Sequence, residues 1–207
     1  MGPSAGSRIS PGALAEWVLA RPPAPALPRG PRVVAVDGRS GAGKSTLARS
    51  VAKAVRRLGA DAVVVRLDDL YPGWDGLDPV LPLVVEHVLT PLAGTLPIVV
   101  PTWDWDADRA GPARPVPALG PPRPAVVLLE GAGSGARAAA RWLAGLIWVD
   151  ADPGLRRRRA LARDGATYAP HWDRWSAQEE AYAARERPRD RAGRVLDASG
   201  AAPEVVR

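Results

Sequence analysis

At 207 residues, 46% hydrophobic and 24% charged, the chain fits one α/β domain that can bury its own core, and global disorder is excluded on composition. The absence of cysteine excludes disulfides, thiolate metal sites and thiol nucleophiles, and no apolar run reaches the roughly 18 residues of a membrane span. The net charge of +6 is mostly arginine, much of it between Arg156 and Arg194 rather than in a basic tail, so neither nucleic acid nor a membrane surface is the expected partner.

The first thirty residues lack a secretory signal, and a cytoplasmic address is the expectation. They are rich in Pro, Ala, Gly and Ser and read as a flexible segment with one short helix from Gly12 to Ala20, in which Leu14, Trp17, Val18 and Leu19 share a side. Val33 to Val36 is a β-branched run suited to a buried parallel strand, ending in Asp37-Gly38. A helix is expected from Lys44 to Leu58, stopped by Gly59. Ala62 to Leu67 is a second strand, with Asp68, Asp69 and Tyr71 just past its C-terminal end, where open α/β sheets place ligands.

Leu83 to Leu92 reads as a helix and Pro97 to Val100 as a strand, while Gly111 to Pro124 is punctuated by proline and expected to form a loop without regular structure. Val126 to Leu129 is a strand ending at Glu130-Gly131, and Leu146 to Val149 another ending at Asp150. Leu155 to Arg163 and Trp172 to Arg187 are helical patterns separated by a break at Gly165 to Pro170, and Val195-Leu196 is a candidate last strand. Strands alternating with helices in this way predict a parallel sheet covered on both faces.

The run Gly38-Arg39-Ser40-Gly41-Ala42-Gly43-Lys44-Ser45 satisfies G-x-x-x-x-G-K-[ST] in full, between a predicted strand and a predicted helix. Glycines let successive backbone N–H groups turn inward around phosphate oxygens, and the helix start adds a favourable dipole. Lys44 is placed to lie against the β- and γ-phosphates of a nucleotide, Ser45 to ligate magnesium, and Thr46 to assist through its hydroxyl or amide. The expected ligand is ATP with Mg²⁺. A carboxylate at the end of the strand beside the loop can reach a hydroxyl in line with the γ-phosphate, which makes Asp68 and Asp69 candidates for the base. Glu130, at the end of an apolar strand, stands where such proteins hold the metal.

This run, together with Asp68-Asp69-Leu70-Tyr71, Pro101-Thr102-Trp103-Asp104-Trp105, Leu129-Glu130-Gly131 and Val149-Asp150-Ala151-Asp152 before an arginine-rich helix, resembles the uridine kinase-like family of P-loop kinases over about residues 31–197. The resemblance implies a three-layer P-loop NTPase fold with a parallel five-stranded sheet and a helical lid, a kinase domain over 31–207 with its lid at about 153–190. It implies transfer of the γ-phosphoryl group to a hydroxyl of a small molecule, a nucleoside first. Asp68 then takes the place of the family's base, although Asp69 departs from its small residue. Of the lid arginines, Arg159 and Arg163 are those expected to close on phosphate, with Arg158 one register step away; a solvated face is the reading for Arg156 and Arg157.

Trp103 and Trp105 match aromatic residues that line the family's base pocket, Trp74 could close it, and Asp104 would hold a sugar hydroxyl or orient Arg109. Asp69 and Tyr71 complete the expected acceptor side. Asp108 stands where the family usually carries a pyrimidine-reading histidine, a departure that counts against uridine itself. Two readings stay open beside the kinase: an NTPase switch without an acceptor, and a kinase of a non-nucleoside metabolite.

Overall fold

The computed structural model describes residues 7–94, 97–105, 107–120, 122–200 and 203–206. Of the N-terminal segment expected at residues 1–30, residues 1–6 lie outside them. In chain order the regular elements are β1 (Ser7–Arg8), α1 (Pro11–Leu19), β2 (Arg32–Gly38), α2 (Lys44–Arg57), β3 (Ala62–Arg66), α3 (Val80–Val84), β4 (Val99–Asp104), β5 (Arg109–Pro115), β6 (Val126–Glu130), β7 (Gly145–Asp150), α4 (Pro153–Tyr168), α5 (Trp172–Glu186), α6 (Pro188–Arg191), β8 (Arg194–Asp197) and β9 (Glu204–Val205).

The sheet runs β1-β9-β8-β7-β2-β6-β3. Its five long members, β8-β7-β2-β6-β3, are parallel, as the alternation of strands and helices predicts. The expected sheet of five strands is thus extended to seven, because β9 and β1 add two short antiparallel pairings at the β8 edge.

Side chains alternate across this sheet. Val34, Val36, Val126, Leu128, Ile147 and Val149 pack on α1 and α2 through Leu14, Val18, Leu47, Val51 and Val55, whereas Val33, Val65, Val127 and Leu129 face the 67–100 segment and the helices after β7. Each such Val or Leu is fully or nearly fully buried and contributes about 1.5–3 kcal/mol relative to exposure. Helix α1 starts where the Ser10 hydroxyl accepts the Ala13 amide and Pro11 supplies a preset φ. Asp152 caps α4 in the same way, accepting the Leu155 amide at 2.8 Å.

Three expectations are corrected. The 97–115 region is not part of the main sheet: β4 and β5 form a separate antiparallel ribbon, and Arg109–Pro115 is a strand despite its prolines. In a two-stranded ribbon both strands are edges, where a proline without an N–H need not break a ladder. The helix expected from Leu83 to Leu92 is instead α3, then a wider π turn at Val85–Leu89 and a 3-10 turn at Pro91–Ala93, since Pro91 cannot continue the hydrogen-bond ladder. The break expected at Gly165 to Pro170 is built differently: Gly165, with φ of 55° and ψ of −132°, kinks α4, which runs on to Tyr168, and a 3-10 turn at Ala169–His171 leads into α5. Among the described residues no helix is long and apolar enough to cross a membrane.

Candidate phosphate-transfer site

Strand β2 delivers the chain to Gly38, and α2 begins at Lys44, so residues 39–43 form a turn over the C-terminal edge of the sheet. Gly41 has a φ of 76°, and a Cβ there would lie 2.0 Å from the carbonyl oxygen of Arg156. Helix α4 therefore rests directly on the loop, at a contact only glycine permits. Lys44 is 8% exposed and its Nζ donates to the Arg39 carbonyl at 3.0 Å, curled over the loop it would share with a phosphate.

Because β6 pairs in register with β2, Val36 opposite Glu130, the Glu130 carboxylate arrives beside the start of α2. The Ser45 hydroxyl donates to Glu130 Oε1 at 3.0 Å, and Oε2 is buried with no hydrogen-bond partner. Burial pushes the Glu130 pKa above the ordinary glutamate value, Lys44 pulls it down, and Asp68 adds to the rise. An orphaned carboxylate oxygen next to a hydroxyl is a hard-oxygen donor pair suited to Mg²⁺. Among the described residues no group of three or more Asp, Glu or His is placed to hold a metal, so an ion here would also need oxygens of the nucleotide.

Asp68 sits in the short 3-10 turn Leu67–Asp69 that follows β3, paired with Arg66 Nη2 at 2.8 Å, while Trp105 Nε1 donates to its carbonyl at 3.3 Å. The Tyr71 hydroxyl donates to the Ala132 carbonyl at 2.8 Å, which ties this turn to the chain after β6. A single cavity of about 730 Å³ joins the two halves: Ser40, Gly41, Gly43, Lys44, Ser45 and Thr46 of the loop, then Glu130 and Asp68, then Tyr71, Trp74 and Trp105. Arg159 and Arg163 line it from α4. Arg159 Nη1 donates to the Ala198 carbonyl at 2.9 Å, and Arg163 is bidentate on Asp164 at 2.8 and 2.6 Å. Pairs this exposed are weak in water and can be exchanged for phosphate.

Other expected residues fall elsewhere. Asp69 does not line the cavity and pairs with Arg114 at 3.6 Å. Trp103 donates to Asp108 Oδ1 at 3.2 Å and lies against Gly73, Asp104 accepts the Ala107 amide at 3.0 Å, and Arg109 is exposed on the ribbon; none of the three lines the cavity. Arg39 pairs with Glu180. Gly38 and Ala42 are buried under the loop. Trp74 does line the cavity, but its ring is stacked by His171 at 4.1 Å and 8° and by Tyr168 at 5.6 Å and 12°, and meets the edge of Trp105 at 4.8 Å.

The solvated face expected at Arg156 is corrected: it is 5% exposed, donating from Nε to the Ala151 carbonyl and from Nη1 to the Ser40 carbonyl. Sequence reasoning also missed Arg66, whose partner two residues on is the candidate base, and Asp37. The Asp37 carboxylate is fully buried and accepts from the amides of Gly38, Gly133 and Gly135 and from the Tyr182 hydroxyl, at 2.6–3.1 Å. Burial raises its pKa, and the Tyr182 hydroxyl and the Gly38 and Gly135 amides oppose the rise. A lone acid closing an apolar strand just before a glycine run was the available signal.

No protein-family model matches the sequence, and comparison with curated proteins finds no match. Solved structures share the fold, among them two described as kinases. One, described as a possible uridine kinase from Bacillus stearothermophilus, aligns over 88% of this chain and 94% of its own with a TM-score of 0.63 and 20% identity. The other, a provisionally assigned fructose transport system kinase from Silicibacter sp. TM1040, aligns over 89% and 95% with a TM-score of 0.56 and 24% identity. At these identities the likeness speaks for the α/β fold with its mostly parallel sheet.

Proposed function

We propose that the protein is an ATP-dependent kinase that moves the γ-phosphoryl group to a hydroxyl of a small molecule, with a nucleoside or a similarly flat metabolite as acceptor. The observation that carries this reading is the single cavity in which Lys44, the Ser45–Glu130 pair and Asp68 are followed by an aromatic end at Trp74 and Trp105. The two solved structures described above are each named as kinases, one of them as a possible uridine kinase, which is consistent with the proposal.

In this reading the loop amides and Lys44 grip the β- and γ-phosphates. Ser45 and Glu130 would hold magnesium, which when bound would neutralise phosphate charge. Asp68 accepts the proton of the acceptor hydroxyl as its oxygen bonds to the γ-phosphorus and ADP leaves with the bridging oxygen. Arg66 keeps that carboxylate aimed, while Arg159 and Arg163 exchange their present partners for phosphoryl oxygens as charge spreads in the transition state. The aromatic end accepts the flat part of the acceptor against the edges of Trp74 and Trp105, since a face of Trp74 is already stacked.

A mass-spectrometric screen for metabolites that gain a phosphoryl group from ATP and Mg²⁺ tests this, with nucleosides, sugars and hydroxy acids in the panel. Product formation is expected to fall about 10²-fold or more in Lys44→Ala and in Asp68→Asn. Acceptor-independent phosphate release that Asp68→Asn leaves untouched would make the protein a hydrolase instead.

A further inference from the structure

Ser40 is the third residue of the phosphate loop, and its three polar groups are all engaged by residues outside that loop. Its amide and its hydroxyl each donate to Glu179 Oε1 at 2.7 Å, and its carbonyl accepts from Arg156 Nη1 at 3.4 Å. Glu179 belongs to α5 and is 2% exposed. Its Oε1 takes a third hydrogen bond, from Trp175 Nε1 at 3.0 Å, whereas Oε2 is buried without a partner. The Tyr168 hydroxyl lies near Ser40 and Glu179.

A buried carboxylate with one oxygen unmet serves folding poorly, because an amide of the same shape would take the same three bonds without burying charge. What a carboxylate oxygen adds over an amide oxygen is a stronger acceptor, and two of the three bonds it takes come from one residue of the loop. The loop needs holding: Gly38, Gly41 and Gly43 have φ of 147°, 76° and 96°, and a chain so rich in glycine has many alternatives to the one conformation that cups a phosphate. The neighbouring residue Gln178 donates to the Trp74 carbonyl at 2.8 Å and accepts from the Leu77 amide at 3.4 Å, so the same turn of α5 also holds the segment that carries Trp74.

We propose that Glu179 is a positioning residue for the nucleotide: by holding Ser40 it sets the path of the loop amides and of Lys44, and it makes that path depend on α5 instead of on the loop alone. The inference rests on the nucleotide-binding reading above. It assigns Glu179 no contact with the reacting atoms.

Calorimetry with ATP and Mg²⁺ on the full chain, alongside thermal melting, tests it through four variants. Glu179→Ala is expected to weaken ATP binding by about 10-fold or more, the scale of losing hydrogen bonds to a charged acceptor. Glu179→Asp, which keeps the charge but withdraws it by one methylene, weakens binding as well and serves in place of the alanine variant if that one does not fold. Glu179→Gln keeps an acceptor oxygen for Ser40 but a weaker one, and its affinity falls between those of wild type and the alanine variant. Leu14→Ala, a core truncation on the far face of the sheet, lowers Tm without changing affinity and so separates stability from positioning. Unchanged affinity in the alanine and aspartate variants, or equal losses in alanine and glutamine, would overturn the inference while leaving the kinase reading intact. A wild-type chain that takes up no ATP would overturn both.

Discussion

Glu130 answers to two opposite demands, and pH separates them. Burial raises its pKa above the ordinary glutamate value, so the folded chain keeps this proton to a higher pH than an unfolded chain does. Its contribution to folding is therefore full below the unfolded value and is lost as pH climbs through the raised one. Metal capture has the opposite sign, because only the ionised carboxylate ligates. Affinity for ATP with Mg²⁺ is thus expected to grow as pH rises through that same window, and the Glu130→Gln protein should show a flatter profile and an affinity lower by about 10-fold or more. Calorimetric titrations from about pH 5 to about pH 8 check this, with melting curves of the nucleotide-free proteins taken in parallel. In those curves the wild type should lose stability relative to Glu130→Gln as pH rises. A variant whose ATP affinity follows pH as steeply as the wild type would mean that another group holds the metal.

At the scale of elements, the contact between the phosphate loop and α4 makes a sharp distinction between two glycines. Gly41 and Gly43 both have positive φ, but a Cβ at Gly41 would run into the Arg156 carbonyl at 2.0 Å, whereas a Cβ at Gly43 meets nothing within 4 Å. Gly43→Ala bears only the backbone penalty of about 1–2 kcal/mol, while Gly41→Ala must also push α4 away from the loop. Melting and nucleotide titration of the two variants should show Gly41→Ala losing more stability and about 10-fold or more in ATP affinity beyond Gly43→Ala; equal losses would mean that the α4 contact does not shape the loop. The same contact marks the limit of what the sequence disclosed. The gathering of the loop, Glu130 and Asp68 was legible because each ends or follows a short apolar strand, and a parallel sheet collects such ends along one edge. The hold on that loop from Arg156 and Glu179 was not, since those bonds span 116 and 139 residues and hide inside helices that read as a charged face and a packing surface. The β4–β5 ribbon escaped for a third reason: proline argues against a central strand but says little about an edge.

Over the whole molecule, the site lies where separately packed layers meet. The β2–α2 junction belongs to the layer built on Val34, Val36, Leu47 and Val51, whereas Leu67, Tyr71 and the α4 residues Ala160 and Tyr168 belong to the opposite layer. A nucleotide lying across Lys44, Glu130 and the arginines of α4 would touch both layers and strand β6 between them, so its binding energy adds to the stability of the entire fold rather than of one element. Linkage sets the scale: a ligand at a hundred times its Kd stabilises the native state by about 2.7 kcal/mol. For a chain of this length that corresponds to a rise in Tm of about 5–10 °C. Differential scanning calorimetry with ATP and Mg²⁺ should show the whole unfolding transition moving up as one peak by that amount, and Lys44→Ala should abolish most of the shift while leaving the ligand-free Tm nearly in place. A transition that split, with only part of the heat moving, would mean that the nucleotide holds one layer alone and that the two faces of the sheet unfold independently.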